Sequence, residues 1–432
     1  MKIRDKIQAA AAICTGVVSA VLMAGCCGGY RLEKQNDFSA REWLDRVTVG
    51  WCLGNQFEAY TDLDDDISNL PSHPFAPSTT EASWNNPAVT RAAIDSVRAA
   101  GFDAVRIPVR WYPHASYEDG VTTIDPEWIR RIREVVDWCL EDGMLVVINT
   151  HHEKWLEEHL SPEDQQFTLP RFGSLWTAIA QAFADYDGRV AFAGMCEMRS
   201  DDADFVTPAT LAKARAANAA MQSFVDAVRS AGGNNASRVL WVQTYAAEPY
   251  NNVPLLKLPI DSAEDRLVVE VHSYVPFLYA LGPLPAFGKD FSHLNGPMLE
   301  AMAASGYDVR EGAEDLQTMT ISDEAHARVV ERLRQTLLAE GIPVVIGEFG
   351  STRKDGMNMN DPCNALLQSR IHYYVDMLRL CREAGIKVFM WDNGYIADQP
   401  DVRVYFFDRW HDWHLTDPLT VSAIMAQVSQ NS

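Results

Sequence analysis

The chain has 432 residues, of which 47% are hydrophobic, and a formal net charge of −22 at pH 7. This length and apolar content suffice for one large packed core, and no segment of about 20–50 residues repeats, which excludes solenoids and propellers. The acidic charge opposes binding to nucleic acid, anionic lipid and acidic polysaccharide, so we expect any polymeric partner to be neutral.

The first 25 residues have the pattern of an export signal. A basic start, MKIRDKIQ, precedes the apolar segment AAAAICTGVVSAVLMAG, which is short for a membrane span. The following LMAGCC resembles the lipobox of bacterial lipoproteins, although Met23 replaces its usual branched aliphatic residue. This resemblance implies cleavage before Cys26 and a lipid anchor on its thiol, with an ordinary secretory peptide as the alternative. We therefore expect an exported protein, at the cell surface or in the periplasm if it is anchored, and secreted otherwise.

Residues 26–40 have the composition of a polar tether, and residues 41–432 are predicted to form one domain. Short apolar runs rich in Val and Ile, typical of parallel strands buried on both faces, span residues 47–54, 102–109, 144–150, 189–197, 238–244, 266–274, 342–350 and 387–394. Helical periodicity occurs at residues 88–101, 125–143, 174–186, 208–233, 322–341 and 365–385.

This alternation predicts an α/β fold, and eight strands predict a closed (β/α)8 TIM barrel. A doubly wound open sheet is the alternative, but the chain has neither GxGxxG after a strand nor GxxxxGK[ST]. Three long connections, 55–87, 151–169 and 275–321, are candidates for binding loops. The aromatic rings of the last connection suit either sugar stacking or packing onto the barrel; they belong to Phe277, Tyr279, Phe287 and Phe291.

Polar side chains mark the carboxyl ends of the predicted strands, where barrel enzymes carry their active sites. In chain order these residues are Arg106, His151, His152, Glu197, His272, Tyr274, Glu348, Trp391 and Asp392. No HExxH or CxxC spacing indicates a metal site, and no GxSxG indicates a serine hydrolase, so we predict no metal and no cofactor. An arginine flanked by apolar residues needs an anionic or polar partner if it is buried.

Two glutamates, Glu197 and Glu348, then form the expected centre. Glycoside hydrolysis needs one protonated carboxyl to release the leaving oxygen and one carboxylate to attack the anomeric carbon or to activate water. An arginine and a tyrosine beside one glutamate would keep it ionised by charge and hydrogen bonding.

The segments GWCLGN, EASWNNP, GFDAVRIPVRW, NTHHE, GMCEMR, VDAVRSAGGNN, VHSYVPF, IGEFG, MWDNG and FDR occur in consistent order over roughly residues 45–410. In these segments the chain resembles glycoside hydrolase family 5, the cellulase-type retaining β-glycanases, and its endoglucanase and xyloglucanase branch in particular. The resemblance implies that Glu197 is the acid/base and Glu348 the nucleophile. It also implies supporting roles for Arg106, His272 and Tyr274, and substrate contacts for His151, Cys196, Trp391, Asn55 and Trp84, with Glu81 a further cleft position.

The chain departs from that family at the acid/base. The family usually has Asn-Glu-Pro where this chain has Cys196, Glu197 and Met198, and Asn where it has Cys52. The first Asn binds the sugar 2-hydroxyl in the family, whereas a thiol is a weak donor and a weak acceptor. A nucleophilic role for Cys196 is disfavoured because the neighbouring Glu197 raises the pKa of a thiol.

Three interpretations of this departure stay open. The chain is an active glycanase in which another group or a water serves the 2-hydroxyl, a weakened enzyme or one with a changed substrate, or a surface glycan-binding protein. We expect the first: a monomeric retaining endo-β-1,4-glycanase of neutral β-glucan or xyloglucan, with xylan and mannan as the next candidates and no binding of nucleic acid.

Overall fold

The computed structural model describes residues 37–61, 80–198, 207–282, 324–354, 356–394 and 404–429. The predicted export signal with Cys26, most of the predicted tether, and the loop residues Phe287 and Phe291 lie outside these ranges. The compact unit begins at Phe38 rather than at Arg41. Phe38 and Ala40 are buried, so the end of the predicted tether is part of the packed body.

The described strands are β1 (Gly50–Leu53), β2 (Ala104–Ile107), β3 (Ala115–Glu118), β4 (Val121–Ile124), β5 (Leu145–Asn149), β6 (Val190–Ala193), β7 (Leu240–Gln243), β8 (Leu267–Ser273), β9 (Val344–Phe349), β10 (Lys387–Asp392), β11 (Phe407–Asp408) and β12 (His414–Leu415). Eight of them close a parallel barrel in the order β1-β10-β9-β8-β7-β6-β5-β2. This confirms the predicted (β/α)8 barrel, and each of the eight apolar runs contains one of its strands. The remaining strands pair as two small antiparallel sheets, β3 with β4 and β11 with β12.

The described α-helices are α1 (Ala40–Asp45), α2 (Arg91–Ala99), α3 (Pro126–Glu141), α4 (Lys154–Glu157), α5 (Gln165–Ala182), α6 (Pro208–Ser230), α7 (Phe277–Ala280), α8 (Glu324–Gln335), α9 (Ala365–Ala384) and α10 (Pro418–Val428). Side-chain caps begin several of them, because an oxygen of Thr90, Asp125, Thr207, Asn364 or Asp417 accepts from a free N–H of the first turn. Among the described helices none is both long and apolar enough to cross a bilayer.

The predicted helix at residues 174–186 begins later than α5, and the two small sheets, α1, α4, α7 and α10 were not predicted. Helix α5 begins at Gln165 and continues through Pro170, a residue that usually ends a helix. Buried Phe172 and Trp176 fix it against the barrel, and such tertiary packing overrides local propensity. In the last long connection, Tyr279 is buried against Tyr373, with 5.1 Å between ring centroids, so this ring packs onto the barrel.

The amino end of the barrel is closed by an apolar plug. Ser39 and Glu42 form a capping box that starts α1, and this short helix places Trp43 under the barrel. The ring of Trp43 meets Trp241 edge-to-face at 5.6 Å, and Trp241 meets Phe389 at 5.2 Å. These interlocked rings fill the barrel interior at the end opposite to the predicted site.

Strand β9 contains a bulge that turns the predicted nucleophile inward. Val271 pairs with Ile346, but His272 pairs with Glu348, so Gly347 is an extra residue opposite β8. Ile346 packs in the outer core between strands and helices. Without the bulge, strict alternation would turn residue 347 inward; with it, the inward position belongs to Glu348.

Candidate active site

Glu348 is a nearly buried carboxylate, 4% exposed, at the end of β9. Arg106 Nη1 donates to its Oε1 at 2.8 Å, and the Tyr274 hydroxyl donates to its Oε2 at 3.0 Å. Burial raises the pKa of Glu348, and the positive charges of His272 and Arg106 oppose that rise. Donors to both oxygens favour the ionised form, as the role of a nucleophile requires.

Glu197 follows β6 and is more open, with 31% of its side chain exposed. Its backbone has φ +44°, in the left-handed region, and its N–H donates to Gln243 Oε1 at 3.0 Å. An oxygen of Glu197 and one of Glu348 lie within 4.8 Å of each other. The two carboxyl groups of retaining glycosidases lie about 5–5.5 Å apart, and those of inverting ones about 6.5–9.5 Å apart. The separation found here agrees with the retaining class.

His272 links the two glutamates. Its Nδ1 lies 2.6 Å from Glu197 Oε1 and 3.6 Å from Glu348 Oε2, and its Nε2 lies 3.3 Å from Glu270 Oε1. Burial lowers the pKa of His272, but the carboxylates of Glu348, Glu197 and Glu270 outweigh that effect and raise it to about 10. Both ring nitrogens therefore carry a proton at neutral pH, and the imidazolium donates on both sides.

Arg106 has the anionic partners that its apolar surroundings led us to expect. Its fully buried guanidinium pairs with Glu348 and, through Nε at 2.9 Å, with Glu270 Oε1. The second contact is an ion pair without hydrogen-bond alignment. Burial lowers the pKa of Arg106, yet the two carboxylates outweigh that effect and raise it above its usual value, so the charge is permanent.

Cys196 lies inside the charged cluster. Its Sγ is 3.5 Å from His151 Nε2, 3.6 Å from Arg106 Nη2 and 3.6 Å from Glu348 Oε1. Burial, reinforced by the charge of Glu348, raises the pKa of the Cys196 thiol well above its usual value. The sulfur therefore keeps its proton and is not a nucleophile, as we expected from the adjacent Glu197.

Cys52, the other residue that departs from the family pattern, supports the bulge. Its Sγ lies 3.3 Å from the carbonyl oxygen of Gly347, which its S–H faces as a donor. Burial raises the pKa of this thiol well above its usual value, so the proton needed for that contact stays in place.

Two groups of described side chains have the spacing of metal ligands: His151 with Cys196 and Glu348, and Glu197 with His272 and Glu348. Val109 N–H donates to Asn149 Oδ1 at 3.1 Å, so Asn149 Nδ2 faces His151 Nδ1 at 3.2 Å. Burial lowers the pKa of His151, so its ring is neutral, and this network assigns its proton to Nε2, which faces Cys196. His151 Nε2 and His272 Nδ1 would each have to lose a proton before a metal could bind there.

Aromatic and imidazole rings form a row at the mouth of the barrel. Trp391 is nearly parallel to His151 at 6.0 Å, His151 meets His152 at 4.3 Å, and His152 meets Trp84 at 6.2 Å. Tyr60 continues the row, 5.0 Å from Trp84. The structure thus brings three of the predicted substrate-binding residues, His151, Trp391 and Trp84, together in one row of ring contacts.

Two other predicted cleft residues have contacts within the protein. The backbone of Asn55, at φ +56°, donates to Glu58 and accepts from Asn86 Nδ2 at 2.9 Å, which shapes the loop after β1. The carboxylate of Glu81 pairs with Arg131 at 2.8 Å on the flank of α3, so Glu81 holds a loop to a helix.

The model of the cellulase family, glycosyl hydrolase family 5, matches residues 68–396. The chain belongs to glycosyl hydrolase family 5. Among curated family 5 relatives, Endoglucanase A of Clostridium longisporum is 31% identical over 360 residues, which are 83% of this chain and 60% of that protein. The chain therefore spans less than two thirds of this relative.

Solved structures of family 5 agree in fold over nearly the whole chain. A Bacteroides ovatus GH5 xyloglucanase in complex with a XXXG heptasaccharide is 26% identical, with a TM-score of 0.74 over 92% of this chain and 78% of that one. A mutant glycoside hydrolase 5 lichenase from Caldicellulosiruptor sp. F32, in complex with cellotetraose, is 28% identical, with a TM-score of 0.72 over 92% of this chain and 96% of that one.

Sequence reasoning missed two site residues, Glu270 and Gln243. Glu270 lies in the run LVVEVHS, two residues before His272, and period-two alternation places both on the inner face of β8. A glutamate in an otherwise apolar strand was the signal that could have revealed it. Gln243, at the end of β7, gave no comparable signal, because a single amide at a strand end has many uses.

Proposed function

We propose that this family 5 chain is a retaining endo-β-1,4-glycanase of neutral β-glucan or xyloglucan. The observation that carries the proposal is the pair Glu197 and Glu348, with oxygens within 4.8 Å of each other and both in reach of His272. One is partly open and the other is buried among donors, and two carboxylates in different surroundings can take different roles.

In the first step, Glu348 attacks the anomeric carbon, and Glu197 transfers its proton to the leaving glycosidic oxygen. The bond to the leaving sugar breaks as the bond from carbon to Glu348 forms. Arg106 and Tyr274, which hold the two Glu348 oxygens, keep the carboxylate aimed and charged before attack.

In the second step, Glu197 is a carboxylate and takes a proton from water, which attacks the anomeric carbon and releases Glu348. The imidazolium of His272, 2.6 Å from Glu197 Oε1, stabilises the charge that appears on Glu197 between the steps. Two inversions at one carbon give net retention of configuration.

Substrate choice is supported by three features. Trp391 and Trp84 are partly exposed at the mouth of the barrel and offer ring faces for sugars. The net charge of −22 disfavours acidic polymers. The similar solved structures are described as a xyloglucanase and a lichenase, with a XXXG heptasaccharide and cellotetraose bound.

A non-catalytic glycan-binding protein is not favoured. Loss of turnover would leave no reason to retain Glu197, Glu348 and their charged partners at hydrogen-bond distance. The Cys196 substitution changes the surroundings of Glu348, but the thiol joins the same network instead of interrupting it.

A panel of barley β-glucan, xyloglucan, xylan and mannan, assayed for new reducing ends, tests the proposal. We expect new reducing ends from β-glucan or xyloglucan. In Glu348→Gln, kcat should fall on the order of 10⁴–10⁶-fold, because removing one member of a nucleophilic unit has an effect of this size. The exposed Glu383→Gln is the matched control. Binding without release on any β-glycan would support the glycan-binding alternative, and release that persists in Glu348→Gln would remove Glu348 from the mechanism.

We also propose that the protein is exported and anchored through a lipid on Cys26, on the strength of the LMAGCC segment. Expression of Cys26→Ser in a bacterial host, followed by membrane fractionation and mass spectrometry of the terminus, tests the anchor. We expect the variant to leave the membrane fraction. An unlipidated mature terminus in the wild type would favour an ordinary secretory peptide.

A further inference from the structure

A third carboxylate lies behind the two catalytic glutamates. Glu270, on β8, is 0% exposed and points into the barrel. A buried charge is costly unless it is paired and hydrogen-bonded. The proposed reaction forms and breaks bonds at Glu197 and Glu348 alone, so the burial of Glu270 needs a separate explanation.

Glu270 contacts both cations of the site. Its Oε1 lies 2.9 Å from Arg106 Nε and 3.3 Å from His272 Nε2. Its Oε2 accepts from Gln243 Nε2 at 2.8 Å. The same Gln243 accepts from the backbone N–H of Glu197 through its amide oxygen, so Glu270 also fixes the residue that holds the acid/base backbone.

Each cation is therefore enclosed between Glu270 and one catalytic carboxylate. Arg106 reaches Glu348 at 2.8 Å with Nη1 while Nε faces Glu270. His272 reaches Glu197 at 2.6 Å with Nδ1 while Nε2 faces Glu270. Anchoring the far side of a cation restricts its rotation, and that fixes the side that faces the reacting carboxylates.

The bulge in β9 provides the space for this carboxylate. A Cβ at Gly347 would overlap Glu270 Oε1, so no side chain fits there without displacing Glu270. The residue that turns Glu348 inward is thus also the one that admits Glu270. The nucleophile and the buried carboxylate share one local backbone feature.

We propose that Glu270 is a positioning residue that holds Arg106 and His272 against the two catalytic glutamates. The kinetic part of this proposal rests on the proposed glycanase function. The contacts of Glu270 with Arg106 and His272 do not, because they belong to the resting protein.

Charge supports the same assignment. Burial raises the pKa of Glu270, but Arg106, His272 and Gln243 outweigh that effect and hold it below its ordinary value, so Glu270 is ionised. Among the described residues, the other charged and titratable groups around this cluster include Glu197, Glu348, Arg106, Tyr274, His151, His152, Cys52 and Cys196. Removing one negative charge lowers the proton affinity of the whole coupled cluster.

Glu270→Gln keeps the size of the side chain and removes its charge. We expect the imidazole of His272, followed by NMR of its ring nitrogens, to titrate at least about one pH unit lower than in the wild type. We expect kcat to fall about tenfold at neutral pH with KM changed less than about twofold, and the high-pH limb of the kcat/KM profile to move to lower pH. In Glu270→Asp, which keeps the charge, the high-pH limb should lie close to its position in the wild type.

Asp376→Asn is the matched control, because Asp376 is also a buried carboxylate paired with a histidine, His326, at 3.0 Å, but it lies on α9 outside the barrel. It should leave the His272 titration and the pH profile unchanged. Superimposable His272 titrations in Glu270→Gln and the wild type would overturn the proposal.

If Glu270→Gln does not fold, the wild type still tests the charge of His272 on which the role of Glu270 depends. His272 should then titrate above its ordinary value of about 6.5, and a titration at or below that value overturns the proposal. A wild type that releases no sugar from any β-glycan contradicts the glycanase function, whereas the titration still tests the role of Glu270.

The proton that His272 keeps in the folded protein makes the free energy of unfolding depend on pH. The pKa of His272 in the folded protein is about 10, above the ordinary value of about 6.5 in the unfolded chain. Its contribution to the free energy of unfolding is therefore complete below about pH 6.5 and lost as the pH rises towards 10. Chemical denaturation across this range should show a smaller loss in Glu270→Gln than in the wild type.

Discussion

The two ends of one barrel are built from the same strands but have opposite chemistry. At the amino end, Trp43, Trp241 and Phe389 interlock edge-to-face and contain no charge. At the carboxyl end, Arg106 and His272 lie among three carboxylates. Burial of the apolar end stabilises the fold, whereas burial of the charged end costs desolvation energy that its ion pairs offset.

This contrast indicates where each kind of substitution should act. Apolar packing is non-directional and stabilises the folded state, whereas charged groups at fixed distances stabilise a transition state. Changes at the amino end should therefore alter unfolding and leave turnover intact. A change at the partly exposed Glu197 of the carboxyl end should alter turnover and leave unfolding almost unchanged.

Glu197→Ala tests the charged end with the largest expected effect. Removing a general acid should lower kcat on polysaccharide by about 10²–10⁴-fold. The loss should be smaller on an aryl glycoside, whose leaving group needs no proton. Because this side chain is 31% exposed, the melting temperature should change little, as for other substitutions at partly exposed positions.

Steady-state kinetics on both substrates and a thermal melt measure these effects. Equal losses on the two substrates would contradict the acid role of Glu197. A large drop in melting temperature would contradict the expectation that Glu197 contributes little to stability.

Trp43→Ala tests the apolar end. Deleting this buried ring should cost about 3–5 kcal/mol in the free energy of unfolding. The values of kcat and KM for the folded protein should stay within about twofold, because the ring lies at the barrel end opposite to the site. Denaturant unfolding and activity at low temperature measure the two quantities.

Ile260→Ala is its control, since this side chain is 83% exposed and its removal should change stability by less than about 0.5 kcal/mol. A kinetic defect in Trp43→Ala that persists in fully folded protein would contradict the separation of the two ends.

Cys196→Asn has the smallest expected effect, and it tests a single contact within the charged end. An amide has a stronger donor and a stronger acceptor than a thiol, so kcat/KM should rise, by up to about tenfold. An unchanged or lower rate would mean that His151, Arg106 and Glu348 have adapted to sulfur. The exposed Cys363→Ser controls for thiol removal.

Much of the fold could be predicted from the sequence, because the patterns that indicate strands and helices lie within short segments. A barrel strand buried on both faces is almost entirely apolar, so strands such as β5 and β6 stand out, and caps such as Asp125 and Thr207 mark where helices begin. The positions of Glu197 and Glu348 at strand ends followed from the same pattern. The start of α5 did not, because packing carries that helix through Pro170.

The site could be predicted only in part, because its contacts join residues that are distant in the sequence. The role of Glu270 depends on its contact with Arg106, which lies on a strand far earlier in the chain. It also depends on the space that Gly347 leaves free. Likewise, the departure at Cys196 suggested a missing partner for the sugar. The structure shows the thiol in contact with His151, Arg106 and Glu348.

Periodicity, strand-end residues and the resemblance of short segments predicted the barrel, the family and the places of Glu197 and Glu348, because these signals are local in sequence. The charge states depended on the folded arrangement, which places His272 among three carboxylates and keeps Cys196 protonated. Protonation depends on burial and on neighbours within a few ångströms, and only closure of the barrel brings β2, β6, β8 and β9 to that distance.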